Sequence, residues 1–267
     1  MMPTWSKTWV AWRSSKTSRS SRLKRPRLKP RVNDMASLAQ AHFLRVRAQR
    51  TAAPLAAGAV PAGSPYALMM AALTEDARRL KSIESVERKI EAKRGMLATY
   101  APYLDGVLAA NAGGADEVVT TLMVWHLDVC DFLRGLDLAT YVLAHDLPLP
   151  ERYARKVPAL LLDEVSEAVL DERVPKDFPT LQALQRVAEL VYDRDAPDEA
   201  RAKLHRAIGL TMAELAGPEP KGDRLQMAVT ALRQLERAVS LNGKVGAKKD
   251  IEQLQRTIKK AEANAAT

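Results

Sequence analysis

The stretch WHLDVCD, residues 125–131, places His126, Asp128, Cys130 and Asp131 next to one another. Two chemistries could use such a set. A histidine four residues before a cysteine can share its helix face and activate a thiolate nucleophile. Asp128 and Asp131, three apart, can also share a face, and convergent carboxylates are what a two-metal nuclease needs around ions roughly 4 Å apart. Neither pattern is specific. Asp163 with Glu167, or Asp195 with Asp198 and Glu199, would serve equally well as carboxylate pairs. The apolar neighbours of WHLDVCD also suit a buried structural cysteine and a core or capping histidine. The chain has no glycine-rich phosphate loop, no Walker lysine motif and no Cys/His metal set. Read by itself it is neither an ATPase nor a nuclease, and no catalytic residue, metal or cofactor is expected.

The elements that would have to position these residues read as helices. Apolar residues make up 47% of the chain but aromatics only 5%, so the core is built of Leu, Ala, Val and Met, which suits packed helices. The one cysteine, Cys130, precludes an intrachain disulfide, and no run of about 18 apolar residues marks a membrane span. Residues 66–98 read as one long helix. Along it Ile83, Ile90 and Leu97 recur every seven residues with Leu80 and Val86 beside them, a narrow stripe suited to a partner helix; an ordinary amphipathic domain helix fits as well. NAGGADE (111–117) is a break. DEVVTTLMVWHLDVCDFLRG follows as a helix with acids in its first turn and Gly135 past its end, then a short helix in LDLATYVLAHDLPLP. Residues 158–172 and 180–192 are further helices. Near 195, Pro197 with Asp198 and Glu199 opens another. Residues 223–241 and 247–262 resemble a tetratricopeptide-type antiparallel pair, with small alanines for close approach and Asn242-Gly243 at the corner. The expected class is all-α: a helical-hairpin stack with a long N-terminal helix and a tetratricopeptide-like C-terminal pair.

Charge divides the chain more sharply than hydropathy. The net charge is +9, and residues 1–34 alone carry +9. That leader is a basic nucleic-acid arm, an Arg/Ser-rich transit peptide, or an upstream extension with Met35 as the true start; in each case its composition predicts disorder. The remainder is neutral overall but zoned: +5 over 35–100, −11 over 101–200 and +6 over 201–267. A basic front can bind a polyanion locally. Its candidates are Arg45, Arg47, Arg50, Arg78, Arg79, Lys81, Arg88, Lys89, Lys93 and Arg94, unless they pair with Glu84, Glu87 and Glu91 as a solvated face. The expected organisation is a leader (1–34), a basic arm and linker (35–63), a long helix for oligomerisation or DNA (64–110), a central helical region (111–194) and C-terminal hairpins (195–264).

From about residue 39 to 262 the order of segments resembles the terminase small subunit of peduovirus-like tailed phages. AHFLRVRAQRTAAPLA is similar to that family's opening, LMVWHLDVCDFLRGLDLATYVLAHDLPLP to its centre, and APDEARAKLHRAIGL and ALRQLERAVSLNGKVGAKKDIEQLQ to its C-terminal helices. The match is one of pattern and order, since none of these pieces is a catalytic motif. In that family position 126 is usually Arg and position 130 Gly, so His126 and Cys130 depart from it, which argues against a role for either. The resemblance implies DNA packaging: binding of double-stranded viral DNA at the cohesive-end region, a large subunit carrying the ATPase and nuclease sites, and action in the cytoplasm of the bacterial host, with no membrane. Members are often named the endonuclease subunit because the holoenzyme cuts DNA. It also implies a homo-oligomer, in small terminases commonly a ring, for which Leu80, Ile83, Val86, Ile90 and Leu97 are the candidate seam. Two other readings remain: a helical adaptor or scaffold that binds no DNA, and a metal-dependent nuclease using the acids of the middle segment.

Overall fold

The computed structural model describes residues 42–47 and 63–265. The leader to residue 34, most of the arm and linker, and Arg50 lie outside the described residues. Residues 42–47 are helical. Among the described residues nine further helices follow: α1 (Pro65–Lys81), α2 (Val86–Ala110), α3 (Glu117–Asp128), α4 (Phe132–Ala144), α5 (Val157–Leu170), α6 (Phe178–Leu190), α7 (Asp198–Ala216), α8 (Asp223–Leu241) and α9 (Lys248–Ala265). The described residues contain no strand, and the class is all-α.

Short polar side chains set most of the helix starts. Ser64, Ser85, Asp116, Asp131 and Asp177 each accept a hydrogen bond from a backbone N–H in the first turn of α1, α2, α3, α4 and α6, satisfying donors that the helix itself cannot. Proline supports the first turn of α1, α5 and α6. Asp198 and Glu199 stand in the first turn of α7, as expected from the sequence.

Helix α3 is enclosed by its neighbours. Every residue from Val118 to Leu127 is buried, the pattern of a helix enclosed on all sides. It packs against α1, α2, α4 and α5. Around it a large core joins α1 to α7, with Tyr100, Leu104, Leu136, Leu161, Leu162 and Leu184 fully enclosed. A second, smaller core joins the end of α7 to α8 and α9 through Ala216, Ala228, Ala231, Leu235, Leu254 and Ile258. The most extensive helix pairing is α7 with α8. It is close because α7 has Gly209 at the contact: a Cβ there would lie 2.7 Å from Leu235 Cγ and 3.1 Å from the Ala231 carbonyl oxygen. The alanine face of α8 therefore serves α7 as well as α9.

Two expectations need correction. The long helix at 66–98 is two helices, because Ser82–Ser85 interrupts it. Ser82 Oγ donates to the Arg79 carbonyl at 2.8 Å, and Ser85 caps the helix that restarts; both serines offer the backbone a local alternative to continuing. Helix α2 then runs on to Ala110 across Pro102 and ends at Asn111 with φ 47°. The single helix through WHLDVCDFLRG is also two, turning at Val129–Asp131, with Cys130 at φ 61°. Gly135 does not end a helix; it lies inside α4, where a Cβ would come within 2.9 Å of Leu127 on α3.

Candidate nucleic-acid interface

The residues that could have done chemistry are spent on the α3–α4 corner. Asp131 caps α4 and accepts a hydrogen bond from His126 Nδ1–H at 2.9 Å. Burial holds the His126 pKa below the ordinary imidazole value, against the pull of Asp131, so the ring is a neutral donor. Asp128 is ion-paired to Lys93 of α2, whose ammonium also lies 5.9 Å from the Trp125 ring centroid. Burial pushes the Cys130 thiol above its usual range, the opposite of what a nucleophile needs. Asp163 is buried between Arg155 and Lys203, with Lys203 2.8 Å from it and 2.7 Å from Glu167. Each of these acids thus ties one helix to another or closes a helix end. The described residues contain no group of three or more His, Cys, Asp or Glu placed to hold a metal ion. Asp195, Asp198 and Glu199 are exposed at the start of α7, Asp195 lying 3.9 Å from Lys156.

The basic candidates from Arg78 to Arg94 lie on α1 and α2 on either side of the break, and several already hold an acid. Arg78 bonds Glu75 at 2.6 and 2.9 Å, Arg79 reaches Asp76 at 3.4 Å, and Arg94 bonds Glu91 at 2.8 Å. Pairs this exposed are worth little and re-pair readily. Lys93 is different: with 14% of its side chain exposed and Asp128 as partner, it is an internal tie and presents no free cation. Arg47 bonds the Gly63 carbonyl at 3.0 Å and stacks on Phe43. Arg45, Lys81 and Arg88 are exposed and have no ion pair among the described residues. Lys89 is half-buried. The surface cations around the break are therefore Arg78, Arg79, Lys81, Arg88 and Arg94, whereas Arg45 belongs to the short helix that Arg47 ties to Gly63 at the other end of α1.

The seven-residue stripe is divided in the same way. Leu80 and Leu97 are 5% and 8% exposed and belong to the core of their own subunit. Ile83, in the break, and Ile90 are partly buried against that core. Val86, 41% exposed, is the member of the stripe that faces outward. Ile83 lies in the break and Val86 is the first residue of α2, while Ile90 and Leu97 keep their spacing on one face of α2.

Comparison with known proteins settles the family. The family model described as phage small terminase subunit matches residues 70–199. The terminase, endonuclease subunit of Escherichia phage P2 is 36% identical over 229 residues, covering 84% of this chain and 87% of the relative. The chain belongs to the phage small terminase subunit family. The probable terminase, endonuclease subunit of Haemophilus phage HP1 is 24% identical over 207 residues, 71% of this chain and 69% of the relative. No solved structure matches. A role in phage DNA packaging follows for this small terminase subunit. Among the described residues no helix is long and apolar enough to cross a membrane.

Family membership also clarifies the α3–α4 corner. The glycine that the resemblance puts at position 130 would take φ 61° without strain, and an arginine at 126 would still face Asp131. What sequence reasoning left unplaced was the C-terminal excess of positive charge. The +6 over 201–267 does not by itself reveal that Arg237, Lys244, Lys248 and Lys249 come to one corner; the pattern GKVGAKK, two lysines opening a helix, was the available signal.

Proposed function

We propose that this subunit recognises double-stranded viral DNA at the cohesive-end region and delivers it to a large subunit that holds the ATPase and nuclease sites, in the cytoplasm of the bacterial host. The observation that carries the reading is the fate of the middle-segment acids. Asp128, Asp131 and Asp163 are each engaged by a cation or a helix end of their own chain, while Lys81 and Arg88 stand exposed on the α1–α2 surface. The P2 relative's name as an endonuclease subunit fits an activity of the assembled enzyme. Recognition rests on the surface cations around the break, and contact between copies on the outward edge formed by Val86 with Ile83 and Ile90, in a ring or a smaller oligomer.

A second reading, a helical adaptor that binds no DNA, is favoured by one observation: Arg78, Arg79, Lys93 and Arg94 each hold an acid of their own chain. Binding of the full chain to cohesive-end and scrambled duplexes across a salt series separates the two. The terminase reading expects a preference for the cohesive-end duplex and a steep fall of affinity with salt. Equal and negligible binding to both duplexes would leave the adaptor.

A further inference from the structure

The corner between α8 and α9 carries Arg237, Lys244, Lys248 and Lys249, all exposed, and none of the four has an ion pair among the described residues. Arg237 bonds only Ser240 Oγ, at 3.3 Å. The nearby acids are few. Asp250 is turned toward Arg206, 3.6 Å away; Glu236 and Glu252 are exposed, the latter 4.0 Å from Arg256. The corner is also fixed. Arg206 of α7 reaches under it and donates to the Val245 carbonyl at 3.0 Å. The Lys244 N–H bonds Asn242 Oδ1 at 2.9 Å, Gly246 turns the chain at φ 86°, and Ala247 is fully buried. Lys248 and Lys249 are the first two residues of α9, where the helix dipole disfavours cations. A sequence that sets two lysines there gives up stability locally, which is where function is to be sought.

We propose that this corner is a second DNA contact, holding the sugar-phosphate backbone of the duplex apart from the α1–α2 cations. The inference rests on the DNA-binding reading above and adds a surface to it. An acidic protein partner fits less well. Protein interfaces depend on buried aromatic or apolar anchors, and among the described residues no large apolar side chain of α8 or α9 is exposed. Phosphate contacts need cations on a preorganised support, which the corner supplies. The acidic start of α7 at Asp198 lies two turns from Arg206, roughly 12 Å along the helix, and keeps the phosphate path on the lysine side.

The test is the triple variant Lys244→Gln, Lys248→Gln, Lys249→Gln in the full chain, with Arg256→Gln, Lys259→Gln, Lys260→Gln as an equal charge change farther along α9. Affinity for cohesive-end and scrambled duplexes is measured across a salt series, with the mass of each assembly. The corner variant should lower the slope of log affinity against log salt by about 3, at roughly 0.9 for each phosphate no longer neutralised. It should weaken both duplexes alike and leave the preference for the cohesive end unchanged, while the second variant shows less than half that drop. An unchanged slope in a parent that binds DNA overturns this inference and leaves the DNA reading standing. So does an equal drop in both variants, or a smaller assembly with DNA binding intact, which would assign the corner to a second copy. A parent that binds neither duplex removes the DNA reading itself, and this inference with it.

Discussion

Alanine at Gly95 should stabilise the protein, and alanine at Gly209 should not. In an unstrained helix Gly→Ala gains about 1 kcal/mol from propensity. Gly95 of α2 meets that condition, because a Cβ there has nothing within 4 Å. At Gly209 the same Cβ would lie 2.7 and 2.8 Å from Leu235 Cγ and Cδ2, and 3.1 Å from the Ala231 carbonyl oxygen. Leu235 is fully buried, so its side chain has no solvent to swing into, and the carbonyl belongs to the α8 backbone. Overpacking of this kind costs about 1–3 kcal/mol, which cancels or exceeds the propensity gain. The difference between the two variants should be about 1–3 kcal/mol, and at roughly 2–4 °C per kcal/mol for a domain of this size it is resolved by thermal melts followed by circular dichroism. Leu235→Ala should cost less in the Gly209→Ala background than in the parent, because it removes the clashing atoms. A Gly209→Ala protein as stable as Gly95→Ala would refute the close α7–α8 packing.

Other outcomes follow from the α3–α4 corner, the core and the α1–α2 surface. Cys130→Gly should leave the melting temperature unchanged or slightly raised, since relief of about 1–2 kcal/mol of left-handed strain offsets glycine's entropy of about 0.5–1 kcal/mol; Cys130→Val should lower it, and both should support packaging with the large subunit. Burial, and then the neighbouring Asp128, push the Glu164 pKa up from 4.5 to about 7. The native state therefore binds more protons than the unfolded chain between those values, and stability falls as pH rises through that window. Glu164→Gln should thus stabilise at pH 8 by on the order of 1–3 kcal/mol and change little at pH 4.5, as read from melts at the two pH values. Val86→Asp, at an exposed position, should reduce the mass of the assembly measured by light scattering without lowering the melting temperature; an unchanged mass would remove Val86 from the contact between copies.

How far the sequence could be read depended on whether a break was marked by its usual residues. The start of α7 was legible because Pro197, Asp198 and Glu199 state it directly, and α8 because Leu225 to Leu241 keep one period throughout. The turn between α3 and α4 was hidden. Its left-handed residue is Cys130 where glycine would have announced it, and Gly135, the glycine that is present, lies within α4 for close packing on Leu127. The break at Ser82–Ser85 has only two serines to signal it, against an apolar spacing that continues through Ile83 and Ile90. The acids of the site were visible as types but not as partners. The contacts that consume Asp128 and Asp163, to Lys93 and Lys203, span 35 and 40 residues, and no local pattern reports them.

We propose that this chain recognises DNA and leaves the cutting to the large subunit. The direct measurement is cleavage of a linear duplex containing the cohesive-end site, with magnesium, by the subunit alone, by the large subunit alone, and by the two with ATP. The expected result is no cut by this chain at any concentration that saturates binding, and specific cutting by the combined subunits. Specific cleavage by this chain alone, abolished on substituting its own carboxylates with the fold intact, would contradict it.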